Sequence, residues 1–190
     1  MGGGVFYLEL LRLTVAARTD IIYVSGGADM ETIIRQLKEE EYLFLGDFLY
    51  EAIFIPEGVE PPPRDIIEKP ELRLYTEDFG SSPHDIAFGA FRGGSIVGAV
   101  WCRIMKDYGH VDDLTPSLAI SLYREFRGQG LGTALMRAIL NELRSRGYRQ
   151  VSLAVQKENY AVKLYRSLGF ETVSENTEEF IMIKKLTEDI

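Results

Sequence analysis

The chain has 190 residues, 46% hydrophobic and 26% charged, a length and balance that suit one globular domain with a substantial core. A net charge of -8 argues against a nucleic-acid surface, which needs clustered cations, and no apolar run approaches the roughly 20 residues that span a bilayer. One cysteine, Cys102, excludes an internal disulfide framework and a cysteine-based zinc site, and His84 and His110 stand too isolated to suit a metal, so no metal is expected and the setting is expected to be reducing and cytoplasmic.

Residues 1–19, opening "MGGGVFYLELLRLTVAART", have no basic lead-in and are interrupted by Glu9 and Arg12, which argues against a signal peptide. They are read as an N-terminal extension, and residues 20–190 as a single domain. "DIIYVS", residues 20–25, is a short β-branched strand. The stretch from Ala28 to Phe54 carries helical spacing, with a break expected at Gly46. "PEGVEPPPRD" cannot continue a helix and is a loop, and a short helix is predicted within 70–79.

"DIAFGAFRGGSIVGAVWCRI" is a β-hairpin, because Gly93 and Gly94 supply the positive φ angles of a tight turn between two apolar strands. "SLAISL", 117–122, reads as a buried strand. From Leu131 the apolar positions 131, 134, 135, 138, 139 and 143 trace one face of a helix that stops at Gly147. "QVSLAV" is the next strand. A second helix begins near Asn159, with Ala161, Leu164, Tyr165 and Leu168 on one face and Gly169 as its stop, and two closing strands follow, "FETVSE" and "EEFIMIKKL". Alternating helices and strands with antiparallel hairpins at both ends imply a mixed α/β sheet.

The segment "YREFRGQGLGT", 123–133, joins a strand to a long helix through three glycines. Such a turn converges backbone N–H groups on an anion at the helix start, and Gly128, Gly130 and Gly132 let a phosphate approach without a β-carbon in the way. Loop closure alone would also account for glycine here. The spelling fits neither a P-loop, which ends in Gly-Lys-Ser or Gly-Lys-Thr, nor the dinucleotide fingerprint G-x-G-x-x-G.

"RGQGLG", 127–132, together with "NYAVKLYRSLGF", 159–170, resembles the two motifs of the GNAT-type N-acetyltransferases, in their order and each in its expected structural context. Arg124 stands where the family often has Pro. The resemblance implies a mixed, mostly antiparallel central sheet with a splayed strand pair and flanking helices, and acetyl-CoA as co-substrate. It implies that the backbone of Ile120, Ser121 and Leu122 pairs with the pantetheine amides. The pyrophosphate would lie on the loop formed by Arg127, Gly128, Gln129, Gly130, Leu131, Gly132 and Thr133. Asn159 either caps its helix or also contacts the pantetheine arm. Tyr165 would face the sulfur and assist the departing thiolate, against the plain alternative of a core aromatic. A homodimer is a family expectation.

The acceptor is less legible. An alkylammonium must lose a proton at a cost of about 4.6 kcal/mol at pH 7, and "SLAISL" lacks the glutamate that many relatives carry on this strand. Asp112 and Asp113 are candidates for that base, although a solvated turn explains them as well; the base stays unassigned. Charge is uneven: residues 120–170 hold nine Lys and Arg against three Glu, whereas 29–78 hold fourteen Asp and Glu against five Lys and Arg. An acidic wall bearing Tyr42, Phe44, Phe48, Tyr50 and Phe54 would favour a cationic amine, of a small molecule or a protein. Trp101 is read as packing. The alternative to an enzyme is a non-catalytic acyl-CoA-binding or sensing module that kept the loop and lost the acceptor chemistry.

Overall fold

A computed structural model describes residues 22–24 and 31–187; the N-terminal extension lies outside the described residues. Among the described residues, eight strands form one sheet in the order β1-β2-β3-β4-β5-β6-β8-β7. They are β1 Ile22–Val24, β2 Thr32–Gln36, β3 Ile86–Arg92, β4 Ser95–Arg103, β5 Ser117–Leu122, β6 Gln150–Gln156, β7 Glu171–Glu175 and β8 Glu179–Lys185. All neighbours pair antiparallel except β5 and β6, which run parallel. That one parallel contact is brief, with Ser117 opposite Ser152 as its only register pair, and beyond it the two strands part.

The helices are α1 Leu45–Ala52, α2 Pro70–Arg73, α3 Leu131–Ser145 and α4 Ala161–Ser167. Alternation along β4 from Ala99 feeds two cores: Val100 and Cys102 join the core with α3 and α4, while Ala99 and Trp101 join that of Leu45, Phe48 and Leu49 of α1. Such period-two alternation is what a sheet covered on both faces requires. The α3 stripe read from sequence is buried through Leu131, Leu135, Ala138, Ile139 and Leu143. Gly147 and Gly169, both with positive φ, follow α3 and α4 as the sequence reading expected.

Two expectations are overturned. Residues 32–36 are a strand instead of the start of a helix, and a 3-10 turn, Glu39–Phe44, separates them from α1. Three β-branched residues, Thr32, Ile33 and Ile34, pair with the open edge of β3, and that ladder outweighs a helical spacing which a short apolar run cannot by itself specify. Gly46 is no break; it is the second residue of α1. The helix predicted within 70–79 is confined to the four residues of α2, started by Pro70 at its first position.

Candidate active site

The parting of β5 and β6 opens a cavity of about 410 Å³. Leu118, Ala119 and Ile120 of β5, Ala154, Val155 and Gln156 of β6, and Asn159 and Tyr165 around α4 form one side. Leu49 and Ala52 of α1, with Ile53, Phe54, Ile66, Leu72 and Tyr75, contribute a largely apolar wall, and Tyr108, Glu178 and Glu179 contribute polar groups. Thus Ile120, Asn159 and Tyr165, named from sequence, meet in one place.

Tyr165 is 7% exposed, its ring packed against Phe170 at 5.8 Å between centroids. Its hydroxyl has no hydrogen-bond partner among the described residues. Burial, and secondarily Tyr160, push the phenol pKa well above its ordinary value, so it keeps its proton at neutral pH. A neutral phenol is a donor and not a base. Asn159 accepts a 2.9 Å bond from the Ala161 N–H, which satisfies one free amide at the start of α4, and it also lines the cavity.

The glycine loop precedes α3. Gly130 holds φ +81 as the N-cap, and a β-carbon on it or on Gly128 would meet nothing within 4 Å. The first helical bond runs from Ala134 N–H to Gly130 C=O, so the amides of Gly128 to Thr133 have no acceptor among the described residues. No acidic residue stands in the first turn of α3. Gly132 lies against Leu122 and Leu164, at 3.6 and 3.5 Å from where its β-carbon would be, which brings the loop close to β5 and α4.

Other side chains of the motif are engaged by the protein. Arg127 donates to Leu122 C=O (2.9 Å) and to the Glu51 carboxylate (3.1 Å), bracing the loop against α1. Gln129 donates to Glu125 C=O and accepts from Arg92. The Ser121 hydroxyl donates to Phe48 C=O on the α1 face, and Leu131 is core. These residues therefore offer backbone, not side chain, to a ligand at this site.

Two expectations about the acceptor side are corrected. Asp112 and Asp113 do not reach the cavity; they line a separate groove of about 750 Å³ with Arg146, Tyr148 and Arg149, near the end of α3. Asp112 accepts from Leu114 N–H and closes a turn, as its sequence context allowed. The larger groove contains neither Tyr165 nor Asn159, so size alone misplaces the chemistry. The acidic residues of 29–78 are likewise absent from the cavity wall, and of the five aromatics only Phe54 lines it. Phe48 is core, Tyr42 and Phe44 pack beside it, and the Tyr50 hydroxyl is bonded to Pro62 C=O. Trp101 is fully buried, as expected of a packing residue. Negative charge reaches the cavity through Glu178 and Glu179, beside the β7–β8 turn. No spacing in the sequence connects those residues to the motifs.

The sheet is thus opened by a splayed parallel pair, with free amides at a helix start and a buried phenol in the cleft. The model of the acetyltransferase (GNAT) family matches residues 49–170, and the chain belongs to that family. Mycothiol acetyltransferase of Thermobispora bispora is 42% identical over 85 residues, 44% of this chain and 29% of that protein. N-acetyltransferase 8 of Rattus norvegicus is 35% identical over 105 residues, 55% of this chain and 46% of that protein. The chain thus spans under half the length of these curated relatives. Among solved structures, the PaiA N-acetyltransferase of Thermoplasma acidophilum in complex with coenzyme A superposes with a TM-score of 0.61 at 21% identity, covering 81% of this chain and 98% of that one, which is a likeness of fold.

Proposed function

We propose that the protein moves the acetyl group of acetyl-CoA to a primary amine by direct attack in a ternary complex. The observation that carries this reading is the placement of Tyr165: a protonated, otherwise unpartnered hydroxyl beside Ile120 and Asn159 in the cleft between β5 and β6. In this reading the amides of Gly128 to Thr133 hold the pyrophosphate, and the backbone of Ile120 to Leu122 aligns the pantetheine along the opened edge of β5. As nitrogen attacks the carbonyl carbon, the C–S electron pair leaves with sulfur and Tyr165 donates a hydrogen bond to the forming thiolate. Ordinary pKa values of about 10 for a phenol and 8.5 for a thiol already make full proton transfer uphill, and burial makes it more so, which favours stabilisation of the anion over acid catalysis.

The acceptor enters from the side walled by α1, α2 and Tyr75. Its apolar residues suit an alkyl or side-chain body, and Glu178 and Glu179 favour positive charge. The class is therefore a cationic primary amine, of a small molecule or a protein terminus or side chain. Tyr165→Phe tests the reading. It keeps the ring and removes the donor, and is predicted to lower kcat by tenfold to a thousandfold with acetyl-CoA affinity little changed. Full activity in that variant at saturating acceptor would return Tyr165 to a packing role.

A further inference from the structure

We propose that Tyr75 receives the acceptor amine and that Asp107 positions it by holding its proton, a proposal that rests on the acetyl-transfer reading above. Tyr75 lines the same cavity as Tyr165 but comes from the opposite wall, the segment after α2. Its backbone is pinned by a bond from Trp101 Nε1 to its carbonyl, and its ring is buried beside Leu37 and Phe48. Its hydroxyl donates to Asp107 Oδ2 at 2.7 Å, and the Ser117 hydroxyl donates to the same oxygen at 2.6 Å.

The location is informative. Ser117 is the residue of β5 at the one register pair with β6, the point from which the strands part. Gly109 is wedged there, since a β-carbon on it would stand 2.6 Å from Ser117 Oγ and 3.0 Å from Ala154 N. Residues 107–109 therefore sit where the two strands part, with Tyr108 lining the cavity and the Asp107 carboxylate bonded to the Tyr75 hydroxyl. Asp107 Oδ1 is buried and has no hydrogen-bond partner, and no cation pairs with the carboxylate among the described residues. One carboxylate oxygen thus takes both hydroxyl donors while the other takes none.

A phenol whose proton is committed to a carboxylate presents only lone pairs to the cavity. It then accepts from an N–H, which leaves the nitrogen lone pair free for the carbonyl carbon. The ammonium gives its first proton to water and attacks as the neutral amine; as the N–C bond forms and the C–S bond breaks, positive charge develops on nitrogen next to the Tyr75 oxygen, and the second proton that nitrogen sheds also passes to water. Tyr75 stays neutral throughout. Burial, and next the neighbouring Asp107, hold its pKa far above the ordinary value.

The experiment is steady-state kinetics of Tyr75→Phe, Asp107→Asn and the double variant, using butylamine, diaminobutane and a short peptide with a free α-amine. For the fastest of these amines, Tyr75→Phe should lower kcat/KM tenfold to a hundredfold while the KM for acetyl-CoA stays within twofold. The double variant should lose no more than Tyr75→Phe alone, because Asp107 acts through the phenol. Multiplying losses would overturn the coupling, and a loss confined to the acetyl-CoA KM would overturn the acceptor role. Should Asp107→Asn fail to fold, the split in Tyr75→Phe decides alone. If the wild-type protein binds acetyl-CoA and transfers acetyl but Tyr75→Phe equals it, this proposal falls and the acetyl-transfer reading stands; no transfer by the wild type to any of the three amines overturns both.

Discussion

Gly130 and Gly147 form a matched pair. They lie beyond opposite ends of α3, with φ of +81 and +82, and a β-carbon on either meets nothing within 4 Å. Valine at either position therefore costs stability only through the left-handed backbone, about 2 kcal/mol for a β-branched L-residue. In a domain of this size that lowers Tm by about 4–8 °C. Ligand binding should separate the two. In Gly130→Val the added methyls project into open space at the free amides of the loop, where the pyrophosphate is proposed to seat, whereas Gly147 faces the other groove. Calorimetric titration with acetyl-CoA should show at least a tenfold weaker affinity for Gly130→Val and wild-type affinity for Gly147→Val, at similar melting temperatures. Equal affinities in the two folded variants would refute the assignment of the loop.

Two further predictions follow from charge. Glu178→Gln and Glu179→Gln should together lower kcat/KM for diaminobutane several-fold more than for butylamine, and the wild-type rate with the diamine should fall with added salt; a response equal for both amines would place those carboxylates outside acceptor recognition. At the edge of the sheet, a two-pronged bond from Arg35 (2.7 Å to each oxygen) holds the Glu41 carboxyl at a pKa of about 2 against an ordinary 4.5, with the Lys38 N–H assisting. Because the folded value is the lower one, this stabilisation is present above about pH 4.5 and is lost as pH falls toward 2. Solvent screening at this partly exposed pair reduces it to about 1 kcal/mol. Denaturant midpoints for the wild type and Glu41→Gln should therefore differ at pH 6, and the gap should narrow as pH falls from about 4.5 through about 2; a gap unchanged across that range would contradict the linkage.

The parts of the molecule that were legible are those written in local periodicity and punctuation. The 131–143 stripe, the Gly93-Gly94 turn and the stops at Gly147 and Gly169 each depend on residues within a few positions of one another. The strand at 32–36 depends on a partner, β3, more than fifty residues away, and its apolar residues satisfy a helical template equally well. The same distinction divides the site. Asn159 and Tyr165 belong to one compact motif and Ile120 to the strand that leads into the other, whereas Tyr75, Tyr108 and the adjacent pair Glu178 and Glu179 arrive from three separate segments and meet only because β5 and β6 part. Composition placed negative charge in residues 29–78, but the fold spends it elsewhere: Glu41 on Arg35, Asp47 on Arg64 and Glu51 on Arg127.

Release of free thiol from acetyl-CoA, paired with mass spectrometry of the amine, tests the central claim most directly. A thiol reagent can follow the reaction without interference, because Cys102 is the sole cysteine, is fully buried and has its thiol pKa raised by that burial. The account predicts amine-dependent thiol release in equal measure with N-acetylated product, fastest for cationic primary amines and strongly reduced in Tyr165→Phe. Thiol release that is independent of added amine, or acetyl-CoA binding with no acetylated product from butylamine, diaminobutane or the peptide, would contradict it.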